Sequence, residues 1–169
     1  NQPVLLTDFT AGWPALEAWT FEGLAARAGE ALVSVTRGRE SDPDYDANFA
    51  AHSQEVRLAD FLEEIIACGD APTNDMYMVA NNRNMERAAL AELLEDTSPD
   101  PTYVDPTKFT GSTSLWIGPA GTHTPLHHDN SNILFCQIRG TKRVRLISPL
   151  EGAPLRSARS CRRTIFIAC

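Results

Sequence analysis

The sequence predicts an α+β fold that is mainly β in its second half, and two observations carry that reading. Helices and strands alternate through roughly the first hundred of the 169 residues, and clustered β-prone runs at 113–117, 132–139 and 142–148 follow, with turn residues between them. A chain of this length is one domain able to bury a substantial core. It contains no internal repeat, P-loop or dinucleotide fingerprint, and no apolar run near the roughly 20 residues of a membrane span.

The elements justify themselves in order. Residues 3–9 (PVLLTDF) are apolar and β-prone, and Gly12-Trp13-Pro14 ends them. Thr20 is a candidate N-cap for a helix running to Ala28 and closed by Gly29. Ala31 to Thr36 alternates as a strand. From Arg37 to about Ser53 the chain turns to Asp, Glu, Gly, Pro and Tyr, the composition of a long loop, read as a solvated connector or as a segment at the mouth of a site. Leu58, Phe61, Leu62, Ile65 and Ile66 recur at helical spacing before Gly69. Met76 to Ala80 reads as a strand. Met85 to Glu95 reads as a second amphipathic helix with Leu90, Leu93 and Leu94 inward. Pro99, Pro101 and Pro106 mark an extended connector into strand 113–117, and residues 118–121 (GPAG) form a turn.

The chemistry concentrates in residues 122–142, THTPLHHDNSNILFCQIRGTK. His127 and Asp129 form an H-x-D pair. On a strand they would point to one face, about 6.6 Å apart at roughly 3.3 Å per residue, and supply two thirds of a 2-His-1-carboxylate triad for non-haem Fe(II). His128 would face away, which argues against a hydrolytic site built from His127, His128 and Asp129. His123 would lie about 13 Å from His127, too far to be a third ligand. Gly140-Thr141 is a type II′ hairpin signal, whose register sets Lys142, Val144 and Leu146 on one face with Ile133, Phe135 and Gln137. A lysine at the mouth of an apolar surface calls for an anionic partner.

The pattern T-P-L-H-x-D, then Asn, then Q-I-x-G-x-K-R-V-x-L-I-x-P resembles the JmjC and cupin-like Fe(II)/2-oxoglutarate oxygenases, particularly bacterial relatives of the asparaginyl hydroxylase called factor inhibiting HIF. The opening PVLLTDFTAGWPALEAWTFEGLAARAG, the middle MYMVANNRNMERAALAELLED and LWIGPAGTHTPLHHD resemble that family in the same order, so the similarity runs from about residue 3 to about residue 150. It implies a double-stranded β-helix, the jelly-roll, behind an N-terminal helical and strand extension at 1–110. The first part of the barrel would fall at 111–150 and an atypical tail at 151–169. It further implies iron ligands at His127 and Asp129, a lysine for the distal carboxylate of 2-oxoglutarate at Lys142, and co-substrate contacts at Thr124 and Tyr77. Tyr77 can equally be a core aromatic with its hydroxyl satisfied. Many members place an Asn six residues after the first His, where this chain has Ile133, so Asn132 carries only a weak role.

The implied function is oxidative decarboxylation of 2-oxoglutarate coupled to hydroxylation of a protein or small-molecule substrate. The alternative is a non-catalytic cupin-like fragment that binds a small carboxylate or a partner chain. No histidine follows His128, and the family's third ligand comes from a later strand. With at most five strands where the barrel needs eight, the expected state of this chain is a truncated barrel that holds iron weakly and self-associates through open edges.

Charge is uneven: residues 1–138 hold 21 acids and 7 bases, whereas 139–169 hold 8 bases and one acid, within a net charge of −7. An acidic body disfavours nucleic acid. Cys68, Cys136, Cys161 and Cys169 show no C-x-x-C spacing and read as reduced thiols of a cytoplasmic protein with no membrane segment.

Overall fold

The computed structural model describes residues 3–79, 83–127, 129 and 132–147, together with the backbone of 165–168. The predicted ends Ala80 and Ser148, and the whole 151–169 tail apart from that strand backbone, lie outside the described residues, as does His128.

Helix α1 (Ala15–Ala18) leads into α2 (Phe21–Ala28), where the Thr20 hydroxyl accepts from the Gly23 N–H at 2.9 Å and caps the helix as its sequence predicts. Strand β1 (Leu32–Thr36) follows, then α3 (Phe49–His52), β2 (Ser53–Arg57) and α4 (Leu58–Cys68). β2 pairs antiparallel with β1 over its whole length, from Leu32 opposite Arg57 to Thr36 opposite Ser53. The sequence reading missed β2 because Ser-Gln-Glu-Val-Arg is polar. It is an edge strand with only Ser53 and Val56 partly covered. On α4 the predicted stripe is buried at Leu58, Phe61, Leu62 and Ile65, whereas Ile66 is half exposed.

The expected helix 85–95 is three short pieces: a 3-10 turn Asn84–Glu86, α5 (Ala88–Ala91) and a second 3-10 helix Glu92–Asp96. Leu90, Leu93 and Leu94 are nonetheless buried. Packing fixes the face while the backbone tightens around it. The break follows the Asn84 side chain, which is buried and pairs with both the N–H and the C=O of Ser34 on β1. The opening 3–6 has no regular structure and 7–12 is a turn, in place of the predicted strand.

α6 (Phe109–Ser112) precedes β3 (Thr113–Trp116); β4 is Leu134–Gln137 and β5 is Ile165–Ala168. β5 lies between β3 and β4 and is parallel to both. Residues 77–78 bridge the two sheets. Tyr77 exchanges backbone hydrogen bonds with Thr36 at 2.8 and 2.9 Å, and Met78 does so with Ile117 at 2.9 and 3.1 Å. The predicted strand 76–80 is thus reduced to a two-residue stitch, and it carries Tyr77 into the middle of the frame.

The core is Trp19, Leu24, Leu58, Phe61, Leu62, Met78, Met85, Leu90, Leu93, Leu115 and Ile117, all nearly inaccessible, each large side chain contributing about 1.5–3 kcal/mol by burial. Cys68 and Cys136 are free thiols. No helix among the described residues is long and apolar enough to cross a membrane.

Two predicted strands of the motif region are corrected. Residues 122–127 and 141–147 adopt no strand, so the Gly140-Thr141 hairpin and the strand face shared by His127 and Asp129 are not formed, although Gly140 does take the left-handed φ of 71°. A hairpin is stable only when its second strand finds a partner and a buried face, and Val144 and Leu146 are instead 58% and 67% exposed. The place beside β4 is taken by β5. Among the described residues the strands make no closed barrel.

Candidate functional site

Four segments converge on the Tyr77 side chain: the 77–78 stitch, β3, the 121–127 stretch and Lys142. Tyr77 is buried, with its ring edge-on to Trp116 at 5.7 Å between centroids. Gly118 makes room for it, because a Cβ there would lie 2.7 Å from the Tyr77 ring and 2.5 Å from the Thr122 methyl. Burial pushes the Tyr77 hydroxyl well above the usual phenol range, so it stays protonated.

That hydroxyl receives a hydrogen bond from the Lys142 ammonium at 2.5 Å. The ammonium also lies 4.5 Å from the Trp116 ring centroid and 5.8 Å from that of Phe135 on β4. Thr124 adjoins the Tyr77 hydroxyl closely enough to favour the phenolate slightly, yet its Oγ1 is buried without a hydrogen bond of good geometry. The three residues assigned to 2-oxoglutarate by resemblance therefore share one pocket, although the strand register expected to bring Lys142 there is absent. Burial, and secondly the charge of Arg39, push the Lys142 ammonium down to about 8. Neither Lys142 nor Arg39 forms an ion pair with a carboxylate among the described residues.

The H-x-D pair lies just downstream. His127 Nε2 is 3.6 Å from Asp129 Oδ2, and both atoms could reach one ion at bonds of roughly 2.1 Å. His127 Nδ1 is 2.8 Å from the Pro125 carbonyl oxygen. With Nδ1 donating to that carbonyl, the ring is held in the tautomer that leaves the Nε2 lone pair free beside the carboxylate, as a metal-binding imidazole requires. Two adjacent lone-pair donors fit a cation between them. Among the described residues no group of three His, Cys, Asp or Glu is placed to hold a metal. His127 is three residues past Thr124 and Asp129 five, at most about 11 Å and about 18 Å along the chain. Asn132 is exposed and makes no contact in the pocket among those described.

Sequence reasoning missed Arg39. It lies on the 3-10 turn Arg39–Ser41, is 4% exposed, and donates from Nη2 to the His123 carbonyl at 2.7 Å. Nothing in the polar run RGRESDPDYD separates it from Arg37, which pairs with Glu64. Only the folding of that loop against 73–75 and His123 does so, through the bonds of Glu40 to Thr73 and Asn74 and of Asn74 to the His123 N–H. The loop is held at its other end by His52, whose Nδ1 meets the Arg37 carbonyl and whose Nε2 meets Asp42 at 3.0 Å.

Lys142, Tyr77, Thr124 and Arg39 thus gather around one buried aromatic ring, and the His127/Asp129 pair follows a few residues along the chain from Thr124. The chain belongs to the cupin-like (JmjC) domain family: the model for the cupin-like domain matches residues 1–163. It is 31% identical over 159 residues to Jumonji C domain-containing protein 5 of Drosophila melanogaster, covering 89% of this chain and 37% of that protein. It is 33% identical over 149 residues to lysine-specific demethylase JMJ30 of Arabidopsis thaliana, covering 85% and 32%. Human bifunctional peptidase and (3S)-lysyl hydroxylase JMJD7 is 23% identical over 158 residues, covering 91% and 49%. The chain thus spans a third to a half of the length of these relatives. No solved structure matches it.

Proposed function

We propose that the chain carries the co-substrate pocket and two of the iron ligands of an Fe(II)- and 2-oxoglutarate-dependent hydroxylase. The observation that carries this reading is the meeting of Lys142, Tyr77 and Thr124 with no carboxylate among the described residues paired to the ammonium. A bound carboxylate would satisfy Lys142, accept from the Tyr77 and Thr124 hydroxyls, and orient the rest of the molecule. Trp116 and Phe135 would exclude water from it and strengthen each charged contact. His127 Nε2 and Asp129 would hold Fe(II), with the third position filled by water or by a group beyond the described residues. The bound iron would supply the oxygen chemistry in which O₂ gives one atom to succinate, formed from 2-oxoglutarate with loss of CO₂, and the other to the substrate as a hydroxyl.

Substrate class is part of the proposal. The names of two relatives make lysyl side chains of proteins the first to try. Succinate formation from 2-oxoglutarate, measured with Fe(II), oxygen and lysine-bearing peptides, tests the reading. Peptide-stimulated succinate is expected. Tight 2-oxoglutarate binding without any succinate would favour a non-catalytic carboxylate-binding domain, and neither binding nor turnover would refute the proposal.

Self-association belongs to the same proposal. β4 pairs on one side among the described residues, and Phe135, Val144 and Leu146 leave apolar surface uncovered nearby. Sedimentation across a concentration series should show dimers or larger species, whereas a monomer at all concentrations would contradict this part.

A further inference from the structure

Arg39 is a buried guanidinium with one donor nitrogen, Nη1, unused. Its Nη2 is fixed to the His123 carbonyl, but Nη1 is buried with no hydrogen-bond partner among the described residues. The guanidinium carbon lies 4.4 Å from the Tyr45 ring centroid and 5.2 Å from that of Tyr77, and the Lys142 ammonium is 5.1 Å from the same Tyr77 centroid. Two cations thus share one aromatic ring with no carboxylate among the described residues paired to either. Burying such charges without a counter-ion is costly, and the contacts with the rings offset only part of the cost. An anion that reaches both cations relieves the burial cost and the repulsion together, and a planar guanidinium is suited to a carboxylate.

We propose that Arg39 is a second anion-binding residue of the Lys142 pocket, donating its unused Nη1 hydrogens to the carboxylate that Lys142 holds. The proposal rests on the co-substrate reading above. It gives the 37–53 loop a role beyond connection, because Arg39 ties that loop to the segment leading to His127. The charge of Arg39 also helps hold down the Lys142 ammonium. The facing titratable groups are Arg39 and Tyr77, so an anion arriving near pH 8 should bring a proton with it.

Calorimetric titration of 2-oxoglutarate into the whole chain tests this, run in two buffers of different ionisation enthalpy so that protons are counted. Arg39→Gln keeps a donor for the His123 carbonyl but removes the charge. It should weaken binding at least about tenfold and reduce proton uptake, while Arg39→Lys, which keeps the charge but not the two-nitrogen fork, should lose less than Arg39→Gln. In arginine-labelled wild type, one guanidinium resonance, identified by its loss in Arg39→Lys, should shift when 2-oxoglutarate is added. This second readout stands even where Arg39→Gln does not fold. Wild-type affinity in Arg39→Gln, or an unmoved Arg39 resonance in a protein that binds 2-oxoglutarate, would overturn the role of Arg39 alone. Wild-type protein that binds no 2-oxoglutarate would bring down the co-substrate reading and this inference with it.

Discussion

Replacing Lys142 with Met is expected to weaken 2-oxoglutarate binding about 10- to 100-fold and to leave the fold intact. The first figure follows from losing a charge-assisted hydrogen bond of about 1.5–3 kcal/mol. The second follows from the surroundings of the ammonium, which sits between Trp116, Phe135 and the Tyr77 hydroxyl without an ion-pair partner among the described residues; an apolar isostere removes a buried charge and strands none. The pH dependence has a definite sign. The folded lysine titrates near 8 against an ordinary value of 10.5, so the unfolded chain binds more protons between those values and stability rises with pH across that window. Lys142→Met should flatten the rise. Binding of the anion should weaken as pH climbs through about 8, because the ammonium is then lost. Arg143 is exposed, and a larger loss from Arg143→Met than from Lys142→Met would show that the wrong basic residue has been assigned.

Removing either donor of the H-x-D pair should lower Mn(II) or Fe(II) affinity at least about tenfold. His127→Ala deletes a nitrogen whose Nδ1 partner, the Pro125 carbonyl, fixes its orientation. Asp129→Asn keeps the size of the side chain and removes its charge. Equilibrium dialysis or anaerobic titration reads both. Metal binding unchanged in the two variants would place the ion elsewhere.

The sequence made some features legible because they are local. Thr20 caps its helix through a bond three residues away, and the α4 stripe is buried except at Ile66 because helical period alone decides which face turns inward. Tyr77 and Thr124 came to notice only through family resemblance and Lys142 also through the expected hairpin register, and the structure gathers the three by a route the sequence did not suggest. The expected hairpin and strand face depended on register, and register depends on which segment supplies the neighbouring strand. Here β5 occupies the place beside β4. β2 was missed because its side chains are polar at a sheet edge. Arg39 was missed because burial of an arginine from a polar loop is set by partners 84 residues away.

The central claim is that the cation pocket and the H-x-D pair are two halves of one site, and reciprocal titration tests it most directly. If one ligand spans both, Mn(II) must tighten 2-oxoglutarate and 2-oxoglutarate must tighten Mn(II) by the same factor. We expect a coupling of at least about fivefold in wild-type protein, abolished by both Lys142→Met and His127→Ala. A 2-oxoglutarate affinity indifferent to saturating Mn(II) would contradict the account, since the pocket and the donor pair would then bind independently.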